Sequence, residues 1–172
     1  MTLLVEIGSG SSTSESLSSV AYADTYLAER GYTAWAALLT AAKEQALRKA
    51  TDYLEQKYSL AWEGVRKTTS QALSWPRAYV PQPQTLSGDL FWPDDEIPAG
   101  VIRACCLLAY RASTETLLPD QDRETDREKI GPIEIEYSSG GTVEKRYREV
   151  ELILSAFTKS FWFGSSVRVE RS

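Results

Sequence analysis

Two short stretches set rings beside cations: Trp62 with Arg66 and Lys67, and Trp75 with Arg77 and Tyr79. Aromatic rings offer faces on which the bases of a single strand stack, and cations track its phosphates, so on an open surface this pairing is the chemistry of a single-stranded nucleic-acid contact. The second stretch, from Gln71 to Pro83, also holds Pro76 and Pro81. Each proline lacks a backbone N–H and biases the residue before it toward extended geometry, so the stretch reads as irregular. The same residues suit two other roles. They can form a loop that docks another protein, or a lid whose tryptophans close over the core while Arg77 pairs with an acidic helix end. With one core to cover and an acidic chain around it, the lid is the favoured reading.

Covalent chemistry has little to work with. The chain has no histidine, which removes the commonest general base, metal ligand and nucleophile activator together. It has no Gly-rich phosphate loop, no Gly-x-Ser-x-Gly elbow and no persuasive carboxylate pair. No enzyme, catalytic residue, cofactor or metal site is expected. Asp94, Asp95 and Glu96 form an acidic cluster, but they precede a helix start, where negative charge suits the dipole, and no further ligands accompany them. Cys105 and Cys106 are adjacent in a helical pattern; their side chains diverge there, so they read as reduced core thiols.

At 172 residues, 42% apolar and 25% charged, the chain suits one domain with extensions. Its net charge of −5 weighs against a protein whose main task is gripping phosphates, although a local basic patch is compatible with it. No apolar run approaches the roughly 18–20 residues of a membrane span, and the first residues lack a signal-peptide pattern, which points to the cytoplasm.

The elements that must position these residues are mostly helical. Residues 1–19 read as a strand, Leu3 to Ile7, followed by a Gly- and Ser-rich flexible arm. A helical core domain spans 20–160. Ser18 or Ser19 can cap a helix from Val20 to about Arg30, ended by Gly31, and Thr33 can cap a short turn with Trp35. Thr40 can start a longer helix to about Tyr58, with Ala46, Leu47, Ala50, Tyr53, Leu54 and Tyr58 at three- and four-residue intervals. An inserted loop, rich in Pro and Trp, covers 60–97. Pro98 opens a heavily buried helix to about Leu117, and Asp120 to Lys129 is a charged link. A β-hairpin is expected over 132–147, pairing Ile133–Tyr137 through the turn Ser138–Gly141 with Thr142–Arg146. Helical spacing resumes from Glu149 to Phe157. Residues 161–172 form an extended tail: Phe161 and Trp162 begin it, and the alternating Val167, Arg168, Val169, Glu170 and Arg171 suit strand addition to a partner or to a second copy.

Several signatures line up in order: SVAYADTYLAERG (19–31), TAWAAL (33–38), KEQALRKATDYLEQKY (43–58), WEGVRKTTSQALSWPRAYV (62–80), IPAGVIRACCLLA (97–109) and REKIGPIEIEY (127–137). As a set they resemble a family of tailed-bacteriophage structural proteins, often catalogued as DnaT-like single-stranded-DNA-binding proteins, whose members are similar to head-to-tail connector adaptors. The resemblance covers roughly residues 3–160. It implies a helical subunit of a homo-oligomeric, commonly dodecameric ring bound to the portal protein, with downstream neck or tail proteins as further partners. DNA would pass through without specific binding. Such a protein would be found in the host cytoplasm during assembly and then in the virion neck, with no membrane partner and no cofactor. The exposed strand edges expected at the arm, hairpin and tail fit a ring of like subunits. The alternative is a single-stranded-DNA-binding protein of the DnaT-like type, contacting DNA through Trp62, Arg66, Lys67, Trp75, Arg77 and Tyr79.

Overall fold

A computed structural model describes residues 2–82, 90–119, 127–130, 133–136 and 145–159; of 127–130 and 133–136 it describes the backbone pairing. The chain is mostly helical with small antiparallel sheets. The element order is α1 (Val20–Ala28), α2 (Thr33–Ala36), α3 (Thr40–Tyr58), β1 (Val65–Arg66), β2 (Arg77–Ala78), α4 (Ala99–Ala112), β3 (Arg127–Ile130), β4 (Ile133–Glu136) and α5 (Arg148–Leu154).

The core is built on α3 against α4, with α1 and α5 packed on α4 from other sides. The α3 stripe of Ala46, Leu47, Ala50, Tyr53, Leu54 and Tyr58 is buried, as its spacing predicts. Helix α4 buries Val101, Ala104 to Ala109 and Ala112, nearly its whole circumference, which makes it the central element. Cys105 Sγ lies 3.6 Å from Thr51 Oγ1 and Cys106 Sγ 3.2 Å from Ser18 Oγ, so both thiols are interior groups with local hydroxyl partners. At the start of α1 the Ser19 side chain accepts from the Tyr22 N–H, the expected cap. The start of α2 differs: Tyr32, not Thr33, is its N-cap residue. Helix α4 ends at Ala112, short of Leu117, because the hydroxyls of Ser113 and Thr114 donate to the carbonyls of Tyr110 and Arg111 and compete with the helical ladder there.

The Ser-rich segment after Ile7 is not a flexible arm. It wraps a buried carboxylate: Glu6, 3% exposed, accepts from the backbone N–H groups of Gly8, Gly10 and Ser11 and from the hydroxyls of Ser9 and Ser14 at 2.9–3.2 Å. Backbone bonds from Glu6 N to Ser16 O and from Glu15 N to Leu4 O close the loop. Gly8, at φ +100°, rests so closely on the residues before α4 that a Cβ there would lie 1.8 Å from the Asp95 carbonyl oxygen. Serine and glycine read as disorder when their donors have no visible acceptor; here one glutamate supplies it.

Strand β4 has a pairing that the sequence did not suggest. β4 pairs with the segment before it, with Arg127 opposite Glu136 and Lys129 opposite Glu134. That register sets residues of opposite charge at paired positions. The expected turn and the return strand as far as residue 144 lie outside the described residues, while Lys145 and Arg146 are described and are not strand; the tail residues Phe161, Trp162 and Val167–Arg171 also lie outside the described residues.

Candidate functional site

The stretch from 60 to 97 is organised by short strand-like pairings. After α3 the chain meets the end of α5's segment: Trp62 bridges to Thr158, Glu63 N donates to Phe157 O at 2.9 Å, and Lys159 N donates to Ala61 O at 2.8 Å. β1 then pairs with β2, setting Val65 opposite Ala78 and Arg66 opposite Arg77. Beyond β2 the chain pairs with 90–92, through Trp92 N to Val80 O and Gln82 N to Leu90 O, both 2.9 Å.

These pairings turn most of the sequence candidates inward. Trp62 is 1% exposed and Trp75 is 0% exposed. Their rings meet edge to face at 5.7 Å, and Trp75 meets Phe157 likewise at 6.0 Å. The indole nitrogens of both tryptophans lack a hydrogen-bond partner among the described residues, so packing rather than polar bonding holds them. Neither ring can stack on a base. Arg77 is buried as well. It does not pair with an acidic helix end; its guanidinium donates to the carbonyl oxygens of Glu63 at 2.7 Å, Gly64 at 2.8 Å and Ser74 at 3.2 Å. Burial, with Arg66 nearby, lowers its pKa from the ordinary arginine value. Arginine serves here because its fork of donors satisfies three loop carbonyls that no strand partner reaches.

Two further polar clamps complete the lid. Gln71 Nε2 donates to Leu73 O and Pro76 O at 2.8 and 3.0 Å, and Glu55 on α3 accepts from the Ser74 N–H and hydroxyl. The Trp75–Pro76 peptide is cis. Arg66 is exposed along part of its length, yet its guanidinium donates to the carbonyl oxygens of Gln71 and Leu73. Lys67 Nζ sits 3.4 Å from Gly8 O and 4.0 Å from Asp94. Of the six nucleic-acid candidates, then, three are interior and two cations are engaged with the protein itself.

Tyr79 is the exception. In a regular extended strand, burial alternates; along 77–80 it runs buried, half-buried, exposed, buried. The break falls at Tyr79, whose φ of 59° places a bulky residue in the left-handed region, an uncommon conformation that acts like a bulge and sends the ring outward while Val80 turns in. Opposite it, Gly64 at φ +66° leaves no room for a side chain, since a Cβ would stand 2.2 Å from the Ala78 carbonyl oxygen. The Tyr79 ring, 69% exposed, packs edge to face on Phe91 at 6.0 Å, itself 51% exposed. Val65 and Leu90, beside them in the pairing, are exposed too. Phe91 was visible in the sequence only as part of an aromatic run; nothing in spacing pairs it with Tyr79.

Fold and surface together define a small, mainly helical chain whose exposed aromatic pair is held by backbone pairing, an arrangement suited to holding a ligand by its flat faces. The chain belongs to the family described as "Putative DnaT-like ssDNA binding protein", which it matches over residues 1–172. That description overturns the expectation of a head-to-tail connector with a portal-bound ring and a virion structural role, and agrees with the single-stranded-DNA alternative. The structure also removes one support of the connector expectation, since the arm meant to reach a neighbour is folded onto Glu6. No curated protein and no solved structure matches the chain.

Proposed function

We propose that this protein binds single-stranded DNA, with Tyr79 and Phe91 as the platform on which bases stack. The observation that carries the reading is the outward Tyr79–Phe91 pair, two large rings in edge contact at 6.0 Å on neighbouring paired segments. Because the segments are hydrogen-bonded on either side of the rings, little ordering remains to be done when a base arrives. Every base has a π-face, so such a platform accepts a strand without demanding one sequence. Val65 and Leu90 extend the apolar surface toward sugars or base edges, and the family description names the same ligand class. Binding of this kind makes and breaks no covalent bond.

Fluorescence anisotropy with labelled oligo(dT) tests the reading. Tyr79→Asn removes the ring while keeping a residue type that tolerates left-handed backbone. Loss of one stacked base costs about 1–3 kcal/mol, or roughly 5- to 150-fold in Kd, and Phe91→Ala should act in the same direction. Circular dichroism of both variants should match the wild type. Failure of the wild-type protein to bind oligo(dT), or wild-type affinity in both variants, refutes the proposal.

A further inference from the structure

A single strand brings phosphates as well as bases, and the cations around Tyr79 are committed: Arg77 to three carbonyls, Arg66 to two, and Lys67 to Gly8 and Asp94. Another surface carries rings and cations that are better placed for a ligand. Between α1 and α4, a groove of about 250 Å³ is lined by Tyr22, Thr25, Tyr26, Glu29, Arg30 and Arg103. Tyr22 and Tyr26, one helical turn apart, lie with ring planes 15° apart and centroids 6.2 Å apart. Arg30, a turn further on, covers Tyr26 with its guanidinium 3.7 Å from the ring centroid and donates through one nitrogen to the Tyr26 carbonyl oxygen. That contact holds the guanidinium against the Tyr26 ring at the groove. Its ion pair among the described residues, with Glu29 at 3.7 Å, is exposed, and such surface pairs are weak. Arg103 comes from α4; it is exposed and makes no hydrogen bond or ion pair among the described residues. Arg30, in the turn after α1, and Arg103, on α4, line the same groove; burial raises the Tyr26 phenol's pKa, both guanidinium groups oppose that rise, and the Glu149 carboxylate adds to it.

We propose that this groove is a nucleotide subsite, in which a base stacks on the exposed Tyr22 ring and the adjoining phosphate sits between Arg30 and Arg103. The inference rests on the single-strand reading, because it supplies the phosphate contact that the Tyr79 platform lacks. Guanidinium groups match phosphate oxygens in pairs of parallel hydrogen bonds, which favours arginine over lysine at such a place. The volume is smaller than the several hundred Å³ common for larger ligands and suits one nucleotide. A strand touching both the groove and the platform would gain stacking at one and charge at the other. An acidic chain can hold DNA in this way because two convergent cations act locally, whereas net charge acts only at a distance and is screened.

The test uses the full chain with two probes, labelled oligo(dT) and the mononucleotide dTMP. Arg103→Glu should weaken oligo(dT) binding about tenfold or more and lower the salt slope by about one. Tyr22→Ala should weaken it at least fivefold, and dTMP should shift the Tyr22 ring resonances of the wild type and not of Arg103→Glu. Melting curves should be unchanged, since both positions are on the surface. Arg148→Glu, exposed at the start of α5 and outside the groove, controls for net charge and should change affinity less than twofold. If Arg103→Glu and Tyr22→Ala bind as the wild type while Tyr79→Asn is weakened, or if Arg148→Glu weakens binding as much as Arg103→Glu, the groove is overturned and the platform stands. If the wild type ignores oligo(dT) yet dTMP shifts Tyr22 through Arg103, the single-strand reading falls and the nucleotide subsite survives. No response to either probe overturns both.

Discussion

Replacing Glu6 with glutamine isolates what the serine loop is for. Glutamine has nearly the same volume, so no cavity forms, but it offers one acceptor oxygen where the carboxylate offers two, and it adds an N–H₂ facing other donors. Five donors converge on the native carboxylate. Three of these bonds are partly open to water and can be rehydrated; those from Gly8 N–H and the Ser14 hydroxyl are buried. These two bonds go to different carboxylate oxygens, so the one amide oxygen keeps one and strands the other; at about 1–3 kcal/mol for a buried donor left unsatisfied, Glu6→Gln should lose about 1–3 kcal/mol, a sizeable part of an ordinary domain's stability. The loss should also depend on pH. Burial raises the Glu6 pKa, but the Ser14 hydroxyl and the N–H groups of Gly10, Ser11 and Gly8 outweigh it and hold the carboxyl below its ordinary 4.5. A group with a depressed folded-state pKa contributes fully above its unfolded value and loses that contribution as pH falls through the folded value. Urea unfolding followed by tryptophan fluorescence should therefore show the widest gap between wild type and Glu6→Gln at neutral pH, narrowing as the solution is acidified below 4.5. A gap under about 1 kcal/mol at neutral pH, or one that does not narrow in acid, refutes the reasoning.

Trp75→Ala should cost about 3–5 kcal/mol, read by chemical denaturation, while DNA affinity per folded molecule stays unchanged because the indole never reaches the surface; wild-type stability would show that the lid does not hold the core. Burial pushes the thiols of Cys105 and Cys106 up to about 11 and about 12, so neither should react with an aromatic disulfide reagent in the native state, and both should react once the chain is denatured. Labelling of the folded protein at the rate of a free thiol would contradict that packing.

Much of the helical frame was legible because local rules and tertiary demands coincide there. The stripe of α3 repeats at helical spacing and is the stripe that packs on α4; Ser19 caps α1 through a bond within its own first turn. Pro98 precedes α4 as its N-cap residue, one position from the expected first turn. Misreadings arose where a partner lay far along the chain or was chosen by competition. The Gly- and Ser-rich stretch reads from sequence as a flexible arm because serine donors carry no periodic signal and their acceptor is a single side chain. The pairing of β4 with the preceding charged segment carries no turn signal as clear as the Gly-Gly pair, and only the register sets Arg127 opposite Glu136 and Lys129 opposite Glu134. Nothing in the 97–109 signature singles out Arg103 as a site residue, since it shares a groove with Tyr22 and Arg30 only through the packing of α4 on α1.

Composition and spacing alone determined that this is a helical chain with three of its five tryptophans between α3 and α4, because helix periodicity, caps and proline restrictions act over a few neighbouring residues. Only the tertiary structure decided which rings face the core and which face water. Trp75 and Tyr79 are separated by four positions in one irregular stretch, yet one is sealed against Trp62 and Phe157 and the other stands beside Phe91. That choice depends on backbone pairing with distant segments and on one left-handed residue, and apolar burial is indifferent to which ring it takes until the rest of the core has set the space.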